Sequence, residues 1–77
     1  MKTIFENETI KISETGRNYD FIAIIENKTN NKIDIEYQNG YIESIITIYS
    51  NSWIGVLADE DGYIILDSLR NNNFKIL

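Results

Sequence analysis

Apolar and polar residues alternate with a period of two through most of this chain, and only after residue 58 does the spacing lengthen to that of a helix. The clearest alternation is NKIDIEYQNGYIESIITIY, residues 31–49, with Asn39-Gly40 between two runs. Asn-Gly supplies the two positive-φ positions of a type I′ turn, so a two-residue hairpin is expected there. The register follows: Gln38 faces Tyr41, Tyr37 faces Ile42, Glu36 faces Glu43, Ile35 faces Ser44 and Ile33 faces Ile46. One face then holds Ile33, Ile35, Tyr37, Ile42, Ile46 and Ile48, a core face. The other holds Asp34, Glu36, Tyr41, Glu43, Ile45, Thr47 and Tyr49. Like charges directly opposite disfavour pairing by a few tenths to about 1 kcal/mol, so a facing Glu36 and Glu43 would be an oddity the fold does not require.

Upstream, YDFIAIIE (19–26) is apolar on both faces, with Phe21, Ala23 and Ile25 on one and Ile22 and Ile24 on the other. Such a strand belongs in the middle of a sheet, covered on both sides. TIKIS (9–13) alternates cleanly, Ile10 and Ile12 inward and Lys11 outward, and reads as its half-exposed partner across a turn at Thr15-Gly16-Arg17-Asn18. Residues 2–5 offer a short edge strand or turn, and 27–31 is expected to close a further hairpin.

The period changes in WIGVLADEDGYIILDSL (53–69). Asp59 fits an N-cap, Glu60 and Asp61 place negative charge at the positive end of a helix dipole, and Ile64, Ile65, Ser68 and Leu69 share one side. Arg70 falls in the last turn and Asn71 to Asn73 end the helix, giving a strand at 53–57, a helix at 60–70 and a terminal strand FKIL. Two other readings stay open: one longer helix from Ser52, or a hairpin turning at Asp59-Glu60-Asp61-Gly62. The fold class expected is small α+β: an antiparallel meander of four to six strands with one helix in the C-terminal half packed on one face.

A chain of 77 residues buries only about 60% of its unfolded surface and supports a single core, hence one domain over 1–77. Cysteine is absent, so neither disulfides nor thiolate-bound zinc supplement that core, and a reducing compartment is expected. Acids at 6, 8 and 14 interrupt the N-terminal segment and no apolar run approaches the roughly 20 residues that span a bilayer. The cytoplasm is therefore the expected location, with no membrane association. The sequons Asn7-Glu8-Thr9 and Asn27-Lys28-Thr29 then read as chance in an asparagine-rich chain. The isoleucine, asparagine and lysine bias suggests a low-GC bacterium or its phage.

A net charge of −5 with scattered lysines argues against direct nucleic-acid binding, because each phosphate contact needs a cation. Histidine is absent, which removes the usual proton shuttle and the usual activator of a nucleophile, so no enzyme is expected. Glu36 and Glu43 are the best acid/base pair available, but their expected place is a hairpin surface rather than a cleft. Calcium binding at Asp59-Glu60-Asp61-Gly62 fails the EF-hand pattern, since the fifth, sixth and twelfth positions are Tyr63, Ile64 and Arg70. No glycine builds a phosphate loop, and no cofactor or metal is expected.

The remaining feature is a strand surface mixing acids with aromatics. It serves solubility alone, or it docks on a cationic surface, with aromatics supplying desolvated area and acids supplying steering. The functional expectation is a small acidic binding protein, of the inhibitor or immunity type. It would dock on a basic partner protein through Asp34, Glu36, Tyr41, Glu43, Tyr49 and Trp53. Trp53 reads as core or as an interface anchor. The alternative is a homo-oligomer binding a small molecule such as a nucleotide at its subunit interface, favoured by apolar residues on both sheet faces.

Overall fold

The computed structural model describes residues 1–16, 20–39 and 42–77, with the backbone alone for residues 39, 42 and 43. Among these residues seven strands and one helix form an antiparallel α+β fold: β1 (Lys2–Glu6), β2 (Ile10–Glu14), β3 (Phe21–Asn27), β4 (Ile33–Asn39), β5 (Ile42–Ile48), β6 (Trp53–Leu57), α1 (Glu60–Arg70) and β7 (Phe74–Ile76). The strands divide into two sheets, β1-β2-β3-β6 and β5-β4-β7. Ile10, Ile12, Ala23, Ile25 and Val56 from the first sheet meet Ile33, Ile35 and Ile48 from the second, and Leu66 and Leu69 of α1 complete the core. Leu66 is the buried apolar side chain of the helix that the expected face omitted; Ile64 and Ile65 are half-buried beside it.

β3 does lie in the interior of its sheet, between β2 and β6. Its face assignment needs one correction. The pairing Phe21 with Leu57 but Ala23 with Val56 leaves Ile22 as an extra residue, a β-bulge. Phe21 is thereby turned away from Ala23 and Ile25 and packs over Gly55, where an added Cβ would overlap its ring. Ile22 instead packs toward the core.

The expected hairpin at 27–31 is not formed, because β3 and β4 lie in different sheets and the chain crosses between them at this corner. Asn27 builds the corner. Its Nδ2 donates to the carbonyls of Asn31, Ile48 and Tyr49 at 2.7, 3.0 and 3.1 Å, and its Oδ1 accepts from the Thr29 N–H and hydroxyl at 2.9 and 2.7 Å. The other sequon is also a side-chain turn: Asn7 Oδ1 accepts the N–H groups of Thr9 and Ile10 at 2.8 and 2.9 Å. Both Asn-x-Thr triplets thus have a structural cause. The two turns touch, since the Lys28 N–H donates to the Thr9 carbonyl at 2.8 Å and its ammonium to the Asn7 carbonyl at 2.8 Å.

β4 and β5 pair in a register two residues from the expected one: Ile33 with Ile48, Ile35 with Ile46, Glu36 with Ile45, Tyr37 with Ser44 and Gln38 with Glu43. The closing pair is Asn39 with Ile42, so the connecting residues are Gly40 and Tyr41, outside the described residues. Opposing isoleucines over the core outweigh the turn preference; the expected register would have set Ile35 against Ser44. A shift of two keeps every side chain on its face. Glu36 and Glu43 are not directly opposed, and the like-charge pair disappears.

The C-terminal elements match the strand and helix reading, with β7 one residue shorter than FKIL. Asp59 is the N-cap, its carboxylate accepting the Gly62 N–H at 2.8 Å. Asn72 adopts φ +58°, and the N–H groups of Asn72 and Asn73 donate to the carbonyls of Leu69 and Ser68, which closes the helix as a Schellman motif. Gly62 is required by close approach: an added Cβ would overlap the Leu57 carbonyl oxygen. The acidic knot is thus architecture in the first instance, a cap that turns the chain from β6 into α1.

Candidate functional site: the seam between two open sheet edges

β5 ends the second sheet and β6 ends the first, and a tight turn, with the Ser52 N–H donating to the Tyr49 carbonyl at 3.2 Å, joins them. Among the described residues each pairs on one side only. A seam therefore runs between two strand edges that share one turn. Asn51, at φ +52°, takes the left-handed position there, and its N–H donates to the Thr29 carbonyl at 2.9 Å, so the turn is held to the Asn27 corner.

Large apolar side chains flank the seam on both sides. Ile45 (55% exposed) and Tyr49 (69%) stand on the second sheet's side, Trp53 (56%) and Leu57 (56%) on the first sheet's. Trp53 meets Phe21 edge to face, with ring centroids 5.9 Å apart. Its exposure decides between the two readings of this residue in favour of a surface one. Between the strands lies a cleft of about 300 Å³, lined by Ile46 of β5, Ile54 to Leu57 of β6 and Ile65 of α1, with Asp59 and Asp61 also lining it.

The residues expected to bind a partner are divided by the fold. Asp34 and Glu36 lie half-buried on the outer face of the second sheet, and Glu43 holds a register position on that face opposite Gln38. Asp34 accepts the Thr47 hydroxyl at 2.6 Å. Tyr49 follows the end of β5, while Trp53 belongs to the other sheet, and Tyr41 is outside the described residues. The acidic row also holds a cation: β7 pairs with β4 so that Lys75 stands beside Glu36. Sequence reasoning missed Lys75, and it missed Leu57, Asp59 and Asp61 as neighbours of an open cleft. The free edges could not be found without the strand order.

The resolved pKa shifts lie elsewhere. The Arg70 guanidinium, hydrogen-bonded to Glu14, holds that carboxyl below the usual carboxylate range against an opposing desolvation, and Arg70 is raised in turn. This pair ties the end of α1 to β2. Among the described residues no group of three or more carboxylates is placed to hold a metal ion, and no helix is long and apolar enough to cross a membrane. The seam can therefore be described as an uncharged strand edge over an apolar cleft with acids at one end. No protein-family model, curated protein or solved structure matches this chain.

Proposed function

We propose that this chain is a small cytoplasmic binding protein that performs no chemistry and occupies a basic surface of another protein, as an inhibitor or immunity protein does. The observation that carries this reading is the segment 45–57, which presents four large apolar side chains, each more than half exposed, along two strand edges. Aromatic and aliphatic side chains in such a setting supply the desolvated contact area of an interface. Acids at neighbouring register positions, Asp34, Glu36 and Glu43, and those that follow β6, Asp59 to Asp61, favour a cationic partner.

Affinity capture from a low-GC bacterial lysate, read by mass spectrometry, tests the proposal. Wild-type protein is expected to retain a basic partner that both Trp53→Ser and the Asp34→Lys/Glu36→Lys double variant lose. Retention by both variants, or a partner without excess positive charge, would overturn it. The same open edges favour a second reading, a homo-oligomer with a small-molecule site at its interface. A dimer or tetramer by light scattering, with a melting temperature raised by nucleotides, would support that reading in place of the first.

A further inference from the structure

We infer that the seam receives an extended segment of the partner, a strand that carries an apolar side chain and, farther along the same face, a basic one, hydrogen-bonded along the free edge of β6. This rests on the reading that the partner is a basic protein, and it names how that partner is held.

The strand edges differ in how they are protected. β1 carries Lys2 and Glu6 and an irregular register between Thr3 and Phe5; β7 is three residues long with Lys75 at its centre; β5 carries the charged Glu43 in its sequence. Short length, charges and bulges are the usual devices that stop an edge from pairing with another chain. β6, WIGVL, has no charge and no proline, and the bulge in its ladder belongs to β3. An unprotected edge is a template for strand addition, in which main-chain hydrogen bonds give affinity and pockets for alternate side chains give specificity.

The cleft specifies those alternate side chains. In an added strand, side chains two residues apart point the same way at a spacing of roughly 7 Å. One such side chain enters the apolar lining of Ile46, Ile54, Val56 and Ile65, and one farther along passes the Leu57 end, where Asp59 and Asp61 lie. No cation lines the cleft among the described residues. Lysine or arginine is therefore the complementary side chain at that end. A second copy of this chain is the wrong occupant on the same grounds: it carries net charge −5, and its own β6, WIGVL, offers no cation to Asp59 and Asp61 when two such edges pair.

The test uses the full chain, labelled with nitrogen-15, and three eight-residue peptides. One carries valine or leucine on one half and lysine on the other half of a single strand face, with threonine at the positions between; one has glutamate for lysine; and one scrambles the first so that its apolar and basic residues fall on both faces. The lysine peptide is expected to shift the Trp53 to Leu57 amide resonances and slow their hydrogen exchange at least tenfold. Affinity should fall at least tenfold for the glutamate peptide, for the scrambled peptide and for the Leu57→Lys variant. Because Leu57 is more than half exposed, that variant should fold; Asp61→Lys, also exposed, provides a second variant and should weaken the same peptide. Equal binding of the scrambled peptide, or shifts confined to the Asp34 and Glu36 row, would overturn the inference. So would a dimer that Leu57→Lys dissociates, since the occupant would then be a second copy. A basic partner lost by Asp34→Lys/Glu36→Lys but retained by Leu57→Lys would sink this inference and leave the proposed function standing.

Discussion

Replacing Asn27 by alanine should reveal how the two sheets are joined. Asn27 is 3% exposed, and its carboxamide makes five hydrogen bonds that span β3, the 28–31 corner and the end of β5. Alanine removes all of them. The Ile48 carbonyl is left buried without this donor, at about 1–3 kcal/mol, and the more accessible partners recover water at roughly 0.5 kcal/mol each, so the loss should be near 3 kcal/mol. A chain of this length has a total stability of about 4–11 kcal/mol, and each kcal/mol lost lowers Tm by roughly 4–8 °C. The expected result is a urea midpoint shifted to lower concentration at unchanged slope, and a Tm lower by about 12–24 °C. Asn27→Asp separates donor from acceptor. It keeps the oxygen that receives Thr29 but turns a second carboxylate oxygen toward three carbonyls, so at neutral pH it should be no better than alanine. Those carbonyls raise the folded pKa of the new carboxyl above its unfolded value. Stability should therefore return as pH falls through the folded pKa and be fully present below the unfolded one. A loss under about 1 kcal/mol for Asn27→Ala would refute the clamp.

Four further outcomes follow from the same geometry. Gly62→Ala should destabilise by roughly 1–3 kcal/mol in chemical denaturation, although alanine is worth about 1 kcal/mol over glycine in an open helix, because the new methyl overlaps the Leu57 carbonyl oxygen; Gly55→Ala, opposed by the movable Phe21 ring, should lose less. Glu14→Gln should lose at most about 1 kcal/mol at pH 7, as suits a pair whose Arg70 is largely exposed. With its folded pKa depressed, Glu14 contributes above its unfolded value and loses that contribution as pH falls through the folded one, so the two proteins should converge in acid urea titrations. Trp53 fluorescence should be quenched by acrylamide in the free protein and protected in the partner complex; quenching unchanged on binding would remove Trp53 from the interface. Association with the partner should slow with ionic strength from 0.01 to 0.15 M, where screening shortens from about 30 to about 8 Å. Asp61→Lys should flatten that dependence more than Glu8→Lys, as measured by stopped flow.

The elements whose evidence is local could be read before any coordinates. Asp59, the paired acids after it and the three asparagines after Arg70 mark β6, α1 and β7 almost to the residue, because caps and stops act within one turn of the backbone. Alternation likewise identified both faces of β4 and β5. It could not fix their register, since sliding one strand by two residues leaves the pattern unchanged. What escaped depends on distant pairings. β3 chooses β6 and β4 chooses β7, partners some thirty to forty positions away, and those choices turn an expected hairpin into a corner and carry Lys75 into the acidic row. Asn27 looked like a chance sequon because its partners at 48 and 49 lie beyond any local window.

The placement of cations sharpens where the surplus negative charge can act. Lys28 is paired with Glu6, Arg70 with Glu14, Lys11 stands opposite Glu26 and Lys75 beside Glu36. Each of these bases is matched to an acid on its own sheet or on the element packed against it, which lowers the field there, while Asp34 keeps the outer row of the second sheet acidic. Asp59, Glu60 and Asp61 have no such neighbour among the described residues of the cleft lining, and they sit where β6 ends and its unprotected edge begins. The residues that cap and open the helix thus leave negative charge with no cation beside it at an apolar opening. Field lines from acids flanking a low-dielectric cleft are focused outward rather than spread over the surface. A cationic segment would be drawn to that end first and then laid along β6, which makes the cap both the start of a helix and the electrostatic entrance to the seam.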